Sequence, residues 1–127
     1  MFRVNSKKEI DSNAIDKCGV YRIFWIKNGI RSEVKRIGGI DYTGLLYIGH
    51  TQGSLRDRLN HFRCSAFLNS TNHSGGKKYR LNRKLSEIIK PDEIFAETFE
   101  VKDSNNFEIE ELRKYSNCYG EVPPLNG

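Results

Sequence analysis

Two runs of β-branched and aromatic residues, "CGVYRIFWIK" (18–27) and "LLYIGHT" (45–51), constrain this chain more than any other feature. Each is bounded by glycine or polar clusters, the pattern of a strand. Between them lie Asn28-Gly29, a hairpin-turn dipeptide, then Gly38-Gly39 and a turn over Asp41 to Gly44. The spacing predicts an antiparallel pair whose 28–44 connection is enlarged by an extra arm.

After the second strand the period changes. Ser54 with Asp57 three residues on marks a helix start, and Leu55, Leu59, Phe62 and Ala66 recur at helical spacing. "LNSTNHSGGKK" (68–78) reads as a polar loop, and "YRLNRKLSEIIK" (79–90) as a second, basic helix that Pro91 closes. "EIFAETFEV" (93–101) alternates as a third strand. "SNNFEIEELRKYS" (104–116) opens a last helix behind a Ser/Asn cap, and "YGEVPPLNG" ends irregularly. The order ββααβα predicts an α+β fold, a small three-stranded antiparallel sheet flanked by helices. At 127 residues there is room for one core, so 18–127 form one domain and 1–17 an N-terminal extension.

Charge narrows the class of partner. Lys and Arg number 21 against 16 Asp and Glu, a net charge of +5 that favours a polyanion such as nucleic acid. No apolar run approaches the ~18 residues of a membrane span, and "MFRVNSKKEI" has no leader-like apolar stretch. A soluble, cytoplasmic protein with no membrane partner is the expectation. Cys18, Cys64 and Cys118 are odd in number and form no CxxC pair, which argues against a disulfide framework or a cysteine-rich zinc site.

A helical wheel singles out one carboxylate. Ile109, Leu112 and Tyr115 define the apolar side of the last helix, Glu108 falls in its middle, Glu111 at its margin and Glu110 opposite. A carboxylate on a core-facing stripe needs an ion-pair partner, a hydrogen bond or a metal. On the first helix Arg58 edges the apolar stripe with His61 beside it, and Arg56 and Arg63 flank the other edge. Asn126 follows two prolines and Leu125, so its amide is placed either to orient an anion or to cap a turn.

Taken together, "GVY" at 19–21, "YIG" at 47–49, Arg58 in "LRDRL", Glu108 in "EIEELRKY" and Asn126 resemble the GIY-YIG nuclease superfamily, from about Cys18 to Asn126. The resemblance implies a divalent-metal-dependent endonuclease acting on DNA, with RNA left open. Tyr21 and Tyr47 match the motif tyrosines, with Tyr21 the candidate general base and Tyr47 orienting water or phosphate. Arg58 would neutralise the phosphoryl oxygens, and Glu108 would hold Mg²⁺ or Mn²⁺. A phenol with a reference pKa of ~10 needs nearby cations to act as a base, so the site should favour its ionised form.

Asn126 matches the asparagine of the tail, and His50 follows YIG where members carry lysine or another polar residue. Members place a histidine four residues after the arginine, which here is Phe62. His61 falls one short, and His73 is the rival phosphate contact. Lys77, Lys78, Arg80, Arg83 and Lys84 are candidate nucleic-acid contacts. Specificity would come from the 28–44 arm, the polar loop, the basic second helix, a homodimer or a separate partner. A catalytically idle nucleic-acid-binding module or an accessory protein of the same fold is the alternative.

Overall fold

The computed structural model describes residues 1–127. Residues 1–17 are built into it. Phe2–Arg3 form a short strand, β1, and Lys7–Asn13 a helix, α1, whose Ser6 cap accepts the Glu9 N–H at 3.2 Å. Val4, Ile10 and Ala14 from this stretch lie in the main core.

The two β-like runs form β2 (Gly19–Lys27) and, after an excursion, the strand that returns beside it. Asn28 and Gly29 both have positive φ, 53° and 75°, and turn β2 directly into β3 (Ile30–Arg31). The chain then leaves the sheet as a two-stranded ribbon, β4 (Val34–Arg36) and β5 (Gly39–Asp41), and re-enters as β6 (Leu45–Thr51). β3 and β6 pair with the same side of β2, so they are two halves of one interrupted return strand. The join is tight: Ser32 N–H donates to the Trp25 carbonyl at 3.0 Å, and Trp25 N–H to Gly44 at 2.8 Å.

The ribbon is anchored by a buried carboxylate. Asp41 accepts from Thr43 N–H at 2.8 Å, Thr43 Oγ1 at 2.6 Å and Tyr115 Oη at 2.8 Å. Three donors satisfy a charge that burial would otherwise penalise.

Next come α2 (Leu55–Phe67), α3 (Ser74–Leu81), α4 (Arg83–Ile88), a single 3₁₀ turn at Pro91–Glu93, β7 (Ile94–Glu100) and α5 (Ser104–Tyr119). The predicted apolar arc of α2, Leu55, Leu59, Phe62 and Ala66, is buried as expected. The predicted second helix is two. Asn82 ends α3 and its side chain caps the Leu85 N–H at 3.2 Å to start α4, because an amide offers the backbone an alternative to continuing the helix. Helix also begins earlier than expected, at Ser74, so Lys77 and Lys78 lie on α3 rather than in a loop. α5 is preceded by Asp103 without a side-chain cap, and Ser104 Oγ donates instead to the Thr51 carbonyl at 3.2 Å.

The sheet is antiparallel, with β7, β2 and β6 as its body; the two-residue strands β1 and β3 make it five-stranded where three strands were expected. One face, with Tyr21, Ile23, Tyr47 and Ala96, packs under α1, α2 and α3. The other, with Val20, Phe24, Leu45 and Ile48, packs under Tyr115 and Leu112 of α5. A bulge between Ile23 and Phe24 leaves Leu46 as the extra residue of β6. No helix is long and apolar enough to cross a membrane.

Candidate active site

Pairing places the two motif tyrosines on one face. Tyr21 is opposite Gly49 and Ile23 opposite Tyr47, so the Tyr21 and Tyr47 rings converge over Gly49, with centroids 5.9 Å apart. A Cβ on Gly49 would sit 2.5 Å from Tyr21 Oη and 2.7 Å from Tyr47 Cε1. Glycine is required here for space, since its φ is not positive. Gly75 does the same on the other side of Tyr47, where a Cβ would come within 2.8 Å of the ring.

His73 closes the cluster from above. It is the N-cap of α3, and its Nδ1 accepts the Gly76 N–H at 3.1 Å. Burial, with help from the positive charge of Arg58 and His61, pushes its pKa down to about 3, so the ring is neutral and its proton sits on Nε2. Nε2 lies 2.7 Å from Tyr21 Oη and therefore donates to it. His73 is a fixed donor to Tyr21 and not a base. Sequence reasoning left His73 level with His61; the helix-cap motif "NHSGG", with a polar residue before two small ones, was the signal. His61 is exposed on α2.

Burial pushes the Tyr21 hydroxyl well above the ordinary phenol range, and Tyr47 raises it further, while Arg58 opposes. The expectation that the site favours an ionised Tyr21 fails, because loss of water around a fully buried phenol outweighs one guanidinium. Tyr47 is also raised, by burial and by the negative charge of Glu108, while the Ser74 hydroxyl, the charge of Arg58 and the Tyr21 hydroxyl pull it back. It is 9% exposed against 0% for Tyr21. Of the two, Tyr47 is the closer to solvent.

The opposite face contributes a second pair. His50, across from Val20, turns toward α5, and its Nδ1 lies 2.7 Å from Glu108 Oε2. Glu108 is half-buried, as the wheel predicted, but Ile109, assigned to the same apolar side, is 51% exposed. Ser104 and Tyr115 are the buried positions of α5, so its inner face is rotated away from Ile109. Glu111 bonds Arg22, which also meets Glu97 at 3.1 Å.

The two halves communicate around the free edge of β6, which pairs only with β2. The Glu108 charge is felt at the Tyr47 hydroxyl and Arg58 acts on both tyrosines. Arg58 is half-buried, and its Nη1 donates to the Asn72 carbonyl at 3.1 Å. Asn126 does not present its amide to this space. Its Oδ1 accepts the Ile48 N–H and its Nδ2 donates to the Ile48 carbonyl, both at 2.9 Å, while Leu125 N–H bonds the Leu46 carbonyl. The tail thus covers the first half of the β6 edge and fixes the strand that carries Tyr47 and His50.

Several predicted nucleic-acid contacts have structural partners. Arg80 bonds the Ser65 carbonyl at 2.9 Å, the Ser70 carbonyl at 3.2 Å and Asn69 Oδ1 at 3.3 Å, and clasps the α2–α3 connection. Arg56 donates to the Ala14 carbonyl and Arg63 to Asn60, and Lys78 reaches the Asn126 carbonyl at 3.2 Å. Lys77, Arg83 and Lys84 are exposed.

Glu108 is the residue suited to a cation. Its Oε2 is engaged by His50, Oε1 has no protein partner, and no group of three or more His, Cys, Asp or Glu side chains gathers in the chain. One hard oxygen donor fits an ion that keeps most of its own water, the habit of Mg²⁺. Compared with known proteins, the chain matches no family model, no curated protein and no solved structure.

Proposed function

We propose that the chain is a divalent-cation-dependent endonuclease of GIY-YIG type that hydrolyses a phosphodiester bond in DNA. The observation that carries this reading is the convergence of Tyr21, Tyr47, His73 and Arg58 on one side of β6 with the His50–Glu108 pair on the other. A tyrosine pair packed only for stability has no use for an arginine, an imidazole donor and a half-buried carboxylate around its hydroxyls.

Tyr47 is the proton acceptor for the attacking water, in its ionised form. Its greater exposure and its smaller burial penalty favour it over Tyr21. Tyr21, with its oxygen receiving His73 Nε2–H, packs its ring against Tyr47 and holds it in place. Arg58 offers its guanidinium to the phosphoryl oxygens as charge builds there. The water loses a proton to Tyr47, its oxygen bonds phosphorus, and the 3′ oxygen leaves. Mg²⁺ or Mn²⁺ held by Glu108 would supply positive charge to the leaving oxygen. His50 orients the Glu108 carboxylate.

The test is plasmid nicking with Mg²⁺ or Mn²⁺, with Glu108→Ala as control. Wild type converts supercoiled to open-circular DNA, and Glu108→Ala loses this while still binding DNA. Binding without nicking by the wild type would instead identify an idle nucleic-acid-binding module.

A further inference from the structure

The largest unexplained exposure in the molecule is at the tip of the β4–β5 ribbon. Ile37 is 83% exposed, and Tyr42 63%, Ile40 37% and Ile30 71% stand on the same arm. Single exposed apolar residues are ordinary on mobile loops, but this tip is held. Ile37 N–H donates to Glu121 Oε2 at 2.6 Å, Gly38 N–H to the Tyr119 carbonyl at 2.7 Å, and Arg36 to the Val122 carbonyl at 2.7 Å with an ion pair to Glu121 at 2.8 Å. Gly38 sits so close to Tyr119 that a Cβ would come within 2.8 Å of backbone. The fold fixes the backbone and leaves the apolar side chain outside.

We propose that this ribbon is the DNA-reading element of the chain, lying in the major groove beside the scissile phosphate with Ile37 and Ile40 toward the base edges and Lys35 on the backbone. This rests on the nuclease reading above. A two-stranded β-ribbon is of a size the major groove admits, and apolar side chains there contact thymine methyl groups. Lys35 and Ile40 are paired across the ribbon on its outer face, while Val34 and Asp41 are buried beneath. The exposed charges of residues 27–44 are Lys27, Arg31 and Lys35 against Glu33, a balance that suits a polyanion. The ribbon is also tied to the site. Arg36 holds Val122, and four residues further the tail grips Ile48, next to Tyr47. Those four residues of tail span at most about 14 Å.

The experiment measures binding of the full chain to a 30-bp duplex by fluorescence anisotropy in EDTA across a salt series, for wild type, Ile37→Ala and Lys35→Ala. Both side chains are exposed and Ile37 is held at the tip through its backbone N–H, so the variants keep the fold, which a melting curve verifies. Ile37→Ala weakens binding roughly tenfold with the salt slope unchanged, as loss of apolar contact does. Lys35→Ala lowers the slope of log K against log salt by about 0.9, one phosphate contact. If wild type binds and nicks DNA and both variants match it, the ribbon assignment falls and the nuclease reading stands. If wild type binds no duplex at any salt, both fall together. If Ile37→Ala turns a dimer into a monomer on a sizing column with DNA affinity unchanged, the ribbon is a contact between copies and the proposal is overturned.

Discussion

Replacing Gly49 by alanine tests the geometry of the tyrosine cluster most directly. The added methyl would lie 2.5 Å from Tyr21 Oη and 2.7 Å from Tyr47 Cε1, and closer still to Tyr21 Cζ, all well inside van der Waals contact. Neither ring has an open path. Tyr21 is fully buried and bonded to His73, and Tyr47 is backed by Gly75 and by the His73 ring at 5.2 Å. Overpacking of this kind costs about 1–3 kcal/mol, and losing the Tyr21–His73 bond inside the core adds about 1–3 kcal/mol. The expected destabilisation is therefore roughly 2–6 kcal/mol, a fall in Tm on the order of 10 °C or more for a domain of this size. Urea unfolding followed by tyrosine fluorescence or circular dichroism reads it. Gly53→Ala is the control, because its Cβ would meet nothing nearer than Thr51 Oγ1 at 3.7 Å and its φ is not positive. That variant should be neutral or stabilised by a few tenths of a kcal/mol. If Gly49→Ala unfolds within ~0.5 kcal/mol of wild type, the convergence of the two rings over residue 49 is wrong.

Two further outcomes concern protons. His73 takes a proton near pH 6.5 when unfolded and only at about 3 when folded, so over that window the unfolded state binds more protons and stability falls as pH drops from about 6.5 to 3, by up to about 5 kcal/mol. His73→Asn, which can still cap α3, should be less stable at pH 7 but lose this pH slope in chemical denaturation; a slope that persists removes His73 as its source. With Tyr47 as base and its pKa raised by burial, nicking rates should climb about tenfold per pH unit through neutrality without levelling below the ordinary phenol range, and Tyr47→Phe should lose roughly 10²–10⁴ in rate. A plateau with a midpoint near 6–7 would point to a histidine instead.

The parts of the fold written in local pattern were legible. Asn28-Gly29 forces a tight turn wherever it stands between strands, and the arc from Leu55 to Ala66 has one way to bury itself. What escaped depended on partners distant in sequence. Phe2 pairs with Ala96, and Ile10 fills the core, yet nothing within "MFRVNSKKEI" announces either. Ile109 looked as apolar as Tyr115, but α5 meets only a narrow strip of sheet and Ile109 lies outside it. Glu108 was found by periodicity because a carboxylate on an inner face is anomalous whatever it meets; His50 as its partner could not be, since the register of β2 with β6 decides which way residue 50 points. Arg80 shows the converse: a basic residue on a basic segment reads as a phosphate contact until its carbonyl partners are known.

The interrupted return strand has a consequence for how such a chain changes over time. Ser32 and Gly44 bond the same residue, Trp25, one through its carbonyl and one through its N–H, so the excursion leaves and rejoins the sheet across the width of a single residue. Its length is therefore not dictated by the strands around it. Changes to its outward side chains, such as Lys35, Ile37 and Ile40, leave the Tyr21–Gly49 pairing alone, whereas Arg36 and Asp41 bind the excursion to Val122 and Tyr115. With Arg36 and Asp41 kept, selection can remodel the exposed face of this stretch, which makes that face the natural place for divergence.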